Sequence, residues 1–231
     1  MWTFLLACAA AAGDDVKHAR PSKHTDDSAA DTAPDTAPLV IDAASILAAL
    51  GDCTQVAGTD TFANNDGGSA SVPMCAAPGA VWFTADMDID CDGGSAKACT
   101  ADPYYQPETS ANDSHGDPLD ASTLSFTVLP LDSNGFSLSG QDLHLGTVTA
   151  VIYKGQLVWA VLGDRGPKGT VGEGSYALAV ALGIDPDPVS GGAEGGVTMV
   201  FFTGSDAVVS PIESTAAAQA LGEAQAGELI D

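Results

Sequence analysis

The amino-acid sequence predicts a mainly β domain, a barrel or a sandwich, with a few short helices. Three observations predict it. Short apolar runs rich in β-branched and aromatic residues recur along the second half of the chain. Glycine (26 residues) and proline (13) supply many turns between them. Helical spacing is confined to two short segments.

Taken in order, residues 41–50 (IDAASILAAL) have helical spacing and stop before Gly51. Residues 80–84 (AVWFT) and 124–130 (LSFTVLP) read as strands. Residues 147–153 (TVTAVIY) and 156–162 (QLVWAVL) flank Lys154-Gly155, which predicts a hairpin. Residues 174–183 (GSYALAVALG) form a short apolar helix closed by Gly183, and 197–203 (VTMVFFT) a buried strand.

The chain divides into three stretches. Residues 1–8 end in Leu5-Leu6-Ala7-Cys8, which resembles a bacterial lipoprotein box with Cys8 as the lipidated residue, although no Lys or Arg precedes it. Residues 9–38 are polar and carry the repeat Asp31-Thr-Ala-Pro-Asp-Thr-Ala-Pro38, a composition of a disordered spacer. Residues 39–231 hold the apolar runs and form the folded domain. The expectation is a secreted or cell-surface, lipid-anchored protein and a monomer, touching membrane only through that anchor.

Charge narrows the partners. The chain has 31 acidic and 7 basic residues, and residues 39–231 alone hold 25 and 4. Such a domain repels nucleic acid and anionic lipid and draws in cations, a polycation above all. Solubility or salt adaptation would produce the same excess. Of the five cysteines, Cys53, Cys75, Cys91 and Cys99 allow three disulfide pairings, and proximity favours Cys53–Cys75 and Cys91–Cys99. His115 and His144 lack metal-ligand spacing, and no metal or cofactor is expected.

The segment from Gly163 to Tyr176 (GDRGPKGTVGEGSY) concentrates the chemistry. An apolar strand delivers Asp164 to a turn at Gly166-Pro167, and a second turn at Gly172 delivers Glu173. One carboxyl that donates a proton and one that stays ionised suffice for glycosidic cleavage. Equally, Asp164 could pair with Arg165 or Lys168 while Glu173 caps a helix. As a catalytic pair, Asp164 leaves an apolar strand and is expected as the acid, with Glu173 at a helix start as the base.

Asp164-Arg-Gly-Pro, Gly172-Glu-Gly-Ser-Tyr-Ala-Leu-Ala, Leu182-Gly-Ile-Asp-Pro-Asp-Pro188 and Val81-Trp-Phe-Thr-Ala-Asp-Met-Asp-Ile-Asp-Cys-Asp-Gly93 together resemble glycoside hydrolase family 75 chitosanases. The resemblance covers residues 78–231. It implies an endo-acting, inverting hydrolase of β-1,4-linked glucosamine polymers without a cofactor, with Asp164 and Glu173 catalytic. Arg165 and Gly174 depart from the family pattern. The same segment also resembles the double-psi barrel of septal lytic transglycosylase-like lipoproteins, which implies a six-stranded double-psi-like β-barrel. Two rival functions follow: peptidoglycan cleavage, or a non-catalytic cell-surface glycan-binding domain.

Asp86, Asp88, Asp90 and Asp92 alternate along one stretch, so a strand would point them to one face, where they could hold glucosamine ammonium groups. Asp86, Asp88, Asp90 and Tyr176 are therefore assigned to substrate binding. Asp88-x-Asp90-x-Asp92-Gly93 also opens like a calcium loop, but its twelfth position is Cys99 rather than Glu. Trp82, Phe83, Tyr104 and Tyr105 could stack on sugar rings or serve the core.

Overall fold

A computed structural model describes residues 39–65 and 67–231. The expectations for Cys8 and the 9–38 spacer lie outside those residues. Eight strands follow in chain order: β1 (Thr54–Gln55), β2 (Cys75–Ala77), β3 (Ala80–Asp90), β4 (Phe126–Pro130), β5 (Val148–Tyr153), β6 (Gln156–Gly166), β7 (Glu173–Ser175) and β8 (Ala193–Phe202). The α-helices are α1 (Ala43–Leu50), α2 (Lys97–Thr100), α3 (Tyr176–Leu182) and α4 (Thr215–Ile230).

Six strands close on themselves in the order β3-β7-β4-β6-β5-β8, because β8 also pairs with β3. The mainly β expectation therefore holds, as a closed barrel rather than an open sandwich. Two strands of eleven residues, β3 and β6, change partners along their length. β3 pairs with β8 along most of its length, then with β7 from Asp88 to Asp90. β6 pairs with β5 through its first half and with β4 through its second. The predicted hairpin forms, with Lys154 (φ 48°) and Gly155 (φ 81°) both in the left-handed region that its tight turn demands.

Alternation along the strands builds two cores. Val81, Phe83, Ala85, Met87, Met199 and Phe201 belong to one, which α3 joins through Leu178 and Leu182. Ala80, Val128, Val148, Ala150 and Phe202 belong to the other, which α1 and α4 cover through Ile46, Leu50, Ala218 and Ala226. A sixteen-residue helix is too large for the interior of a six-stranded barrel, so this second face is the outer one. Val128 thus lies on the outer wall.

α1 starts at a capping box, in which Asp42 accepts from Ser45 N (2.8 Å) and Asp42 N donates to Ser45 Oγ (2.9 Å). Gly183 ends α3 in the left-handed conformation, as predicted. Both favoured disulfides form, Cys53–Cys75 and Cys91–Cys99, with Cα atoms 5.1 and 4.8 Å apart. The first joins β2 to the segment before β1, and the second ties the end of β3 to α2.

Gly222 is buried on α4 where the Trp159 ring crosses the helix, and a Cβ there would collide with that ring. Gly222→Leu is expected to lower stability by about 1–3 kcal/mol. Gly227→Ala, where a Cβ meets only the Leu39 and Ile41 side chains at 3.6 Å or more, should stabilise by roughly 0.5–1 kcal/mol through helix propensity. Urea midpoints of the two variants check both signs.

Candidate active site

The site follows from one row of the sheet. Val128 of β4 is registered against Asp164 of β6 on one side and Glu173 of β7 on the other. Glu173 is in turn registered against Asp88 of β3. Directly opposed residues share a face, so Asp88, Glu173 and Asp164 stand on the outer wall with Val128. All four line a cleft of about 710 Å³.

Each carboxylate is held differently. Asp164 is buried at 6 % exposure. Its Oδ1 accepts from Ser110 N (2.8 Å), Ser110 Oγ (2.6 Å) and Arg165 N (2.6 Å). Among the described residues nothing donates to Oδ2. Ser110 is a residue that sequence reasoning missed; it lies 54 positions away, in a loop with no motif. The reading that Asp164 is neutralised by the Arg165 or Lys168 side chain is not what forms. The Arg165 guanidinium turns instead to Pro130 O and to Asp132 Oδ1 (2.9 Å), fastening the end of β6 to β4 and the turn beyond.

Glu173 lies in β7, two residues before Ser175, the residue that caps α3. It is not the helix cap that its sequence suggested. Ser175 fills that role, accepting from Leu178 N (3.1 Å). Burial, then the charges of Asp88, Asp164, Asp92 and Asp86, push the Glu173 carboxyl up to about 7. Burial thus favours the neutral form of Glu173 more than in a free carboxyl. Gly166 makes room for it. A Cβ at that position would strike Glu173 Oε2 and press on Val128. The Gly in Asp164-Arg-Gly-Pro thus leaves the Glu173 carboxyl in its place, which any larger residue would displace.

The acidic stretch 86–92 divides. Asp88, Asp90 and Asp92 line the cleft, joined by Asp102 and Asp187. The Cys91–Cys99 disulfide holds the turn after β3, where Asp92 N donates to Asp90 Oδ1 (2.7 Å) and Asp92 Oδ1 accepts from Gln106 N (2.7 Å). Asp90, Asp92 and Asp164 bring carboxylate oxygens within 4.8 Å of one another, the one such trio found among the described residues. Burial first, and then Asp164, drive Asp90 well above its ordinary value. Asp92 rises to about 6, again chiefly by burial. Burial and Glu194 also raise Asp88.

Asp86 and Tyr176 do not join this lining. A bulge between Ala85 and Met87 interrupts the β3–β8 ladder at Asp86, which is buried against Gly172. The extra residues of that bulge lie on β8, and Ala85 and Met87 both face the inner core, so Asp86 keeps the alternation of β3 but is covered by the Gly172 turn and stays out of the cleft lining. Tyr176 opens α3 and is half-buried. Of the aromatic candidates, Tyr104 lines the cleft and is 84 % exposed. Phe83 is core and Trp82 packs against the outer core. Tyr105 stands beside the cleft turn without lining it. His115 and His144 sit beside Asp113 and Asp142, each at 3.5 Å, away from the cleft.

Seven carboxyl groups and one cation, Arg165, thus line the cleft. Such a lining can bind cationic groups and supply both a proton and an ionised base within one wall.

A family model for fungal chitosanases of glycosyl hydrolase group 75 matches residues 87–226, which contain all seven carboxyl groups. Endo-chitosanase C of Aspergillus oryzae is 34 % identical over 135 residues, covering 55 % of this chain and 32 % of the relative. Endo-chitosanase B of the same organism is 31 % identical over 137 residues, covering 55 % and 57 %. An endo-chitosanase of Aspergillus fumigatus is 31 % identical over 144 residues, covering 56 % and 60 %. The chain spans between about a third and three fifths of the length of these curated relatives.

The raised carboxyls set the pH dependence of stability. A carboxyl whose folded pKa is above its unfolded value contributes stability below the unfolded pKa, and that contribution disappears as pH rises through the folded one. With Glu173 near 7 and Asp92 near 6, stability is expected to fall between about pH 4 and pH 7. Melting temperatures across that range check the slope, and Glu173→Gln should make it shallower.

Proposed function

Since this chain belongs to the glycosyl hydrolase group 75 family of fungal chitosanases, we propose that it is an endo-acting chitosanase that hydrolyses β-1,4 bonds of glucosamine polymers with inversion. The observation that carries this reading is the Asp164–Val128–Glu173 row in an acidic cleft. Strands lie ~4.8 Å apart, so two carboxylates separated by one intervening strand stand about 10 Å apart at their Cα atoms. An inverting pair needs carboxyls roughly 6.5–9.5 Å apart to admit a water, whereas a retaining pair needs about 5 Å.

In this mechanism Glu173 is the general acid. Its raised pKa keeps the proton available at mildly acidic to neutral pH for the leaving glycosidic oxygen. Asp164 is the general base. Its Oδ1 is fixed by Ser110 and the Arg165 N–H, leaving Oδ2 to draw a proton from water on the opposite face of the sugar. The water oxygen bonds to the anomeric carbon as the bond to the leaving oxygen breaks. Glu173 ends ionised and Asp164 protonated, and solvent restores both.

Substrate recognition follows from the surrounding charge. Asp88, Asp90, Asp92, Asp102 and Asp187 would pair with the ammonium groups of successive glucosamine units, and Tyr104 could stack on a ring. A bound ammonium would also relieve the repulsion within the Asp90, Asp92 and Asp164 trio. Two disulfides fit an oxidising, extracellular setting. No helix among the described residues is long and apolar enough to cross a membrane.

Release of reducing ends from chitosan tests the reading. Asp164→Asn and Glu173→Gln are each expected to lose at least about 100-fold in kcat. Azide should restore turnover to Asp164→Asn, which lacks the base; restoration of Glu173→Gln alone would exchange the two roles. Wild-type KM should rise with ionic strength as the cleft charges are screened. Full activity in both variants, or product from peptidoglycan and none from chitosan, would overturn the assignment.

A further inference from the structure

Beside the catalytic row lies a carboxyl that the mechanism above does not use. Asp86 is only 7 % exposed. Its Oδ2 accepts from Asn65 Nδ2 (3.3 Å), while its Oδ1 is sealed from solvent without a hydrogen-bond partner among the described residues. A buried carboxylate oxygen left without a donor is costly when charged, so the neutral acid is the form this place favours.

The surroundings of Asp86 tie it to the active site. Gly172 has φ 100°, and a Cβ there would lie 2.5 Å from Asp86 Oδ1 and 2.9 Å from Asp86 O. Asp88 N donates to Gly172 O (2.7 Å). Residues 86–88 therefore wrap the backbone of Gly172, and Glu173 is the next residue along. Asp86 keeps the alternation of β3, between Ala85 and Met87 of the inner core, and the Gly172 turn covers it.

We propose that Asp86 is a positioning residue for Glu173: packed against the Gly172 turn, it supports that turn in its neutral form and couples its own protonation to that of the catalytic carboxyl. The inference rests on the reading of Glu173 as proton donor. The groups that face Asp86 are Asp88 on its own strand, Glu194 on β8 and Glu173 on β7, all acidic. None of the charges that act on Asp86 among the described residues is a cation. Burial, then Asp88 and more weakly Glu194, raise Asp86 to about 7, and its charge in turn raises Glu173. When one gives up its proton, it becomes harder for the other to do so.

The test is kcat against pH on chitosan for the full chain, with thermal melting of the same proteins over the same range. Wild type loses kcat on the alkaline side as Glu173 deprotonates. Asp86→Asn keeps the shape of the side chain but removes the charge, so that limb should move to lower pH by about half a unit with KM unchanged. Its melting temperature should fall less than that of wild type between about pH 4 and pH 7, because the raised carboxyl is gone. Asp86→Ala, which also removes the support, should lose more kcat than Asp86→Asn at every pH. A raised KM in Asp86→Asn would make Asp86 a substrate contact and overturn the proposal. An inactive Glu173→Gln together with an unmoved limb in Asp86→Asn would overturn this inference alone. An active Glu173→Gln would overturn it together with the reading beneath it.

Discussion

The register of one short row of residues governs the rest of the molecule. Val128 pairs with Asp164 on one side and with Glu173 on the other, and Glu173 pairs with Asp88. In an open sheet that register could slip, and a slip of one residue would turn every one of these side chains to the opposite face. Closure of the β3-β7-β4-β6-β5-β8 ring removes the freedom. The buried side chains on both faces of the wall then hold it, with Leu129 in the inner core and Val128 in the outer one. The carboxylates are placed by the hydrophobic cores, not by contacts with each other.

That placement has an electrostatic cost, which the site turns to use. Asp88, Asp90, Asp92, Asp164 and Glu173 crowd one wall, and burial is the first cause of every raised carboxyl among them. Ser110 and the Arg165 N–H serve Asp164 alone. Two carboxyls separated by one strand thus receive different environments, the condition that the proposed acid–base pair requires. The proposed substrate, a chain of ammonium groups, carries the charge that such a wall lacks.

Much of this was legible in the sequence. The strands at 80–84, 124–130, 147–153, 156–162 and 197–203, the Lys154-Gly155 turn and the Gly183 helix end all announced themselves through apolar pattern and turn chemistry. What escaped was of three kinds. β3 runs on to Asp90 because β7 covers an acidic stretch that no apolar pattern marks. β7 is three residues long, too short for any periodicity. α4 packs through the small residues Ala218, Gly222 and Ala226, so its buried stripe does not look apolar. In the site, Asp164 and Glu173 could be named from their segment, but the surroundings of each could not: Ser110, which donates to Asp164, lies 54 positions away, and Asp88, registered against Glu173, is on a strand distant in sequence. Asp86 shows the same limit: alternation gives its face, but the Gly172 turn, 86 positions away, covers it and keeps it out of the cleft lining.

The central claim is that the working pair is Asp164 and Glu173, one strand apart across Val128, rather than Glu173 with its immediate neighbour Asp88. The two choices predict different stereochemistry, since a pair on adjacent strands at ~4.8 Å has the spacing of a retaining enzyme. Proton NMR of a glucosamine hexamer during the first turnovers reads the anomer released before mutarotation. The α-anomer as first product is the result the Asp164–Glu173 pair predicts. The β-anomer would contradict it and move the chemistry to Asp88 and Glu173.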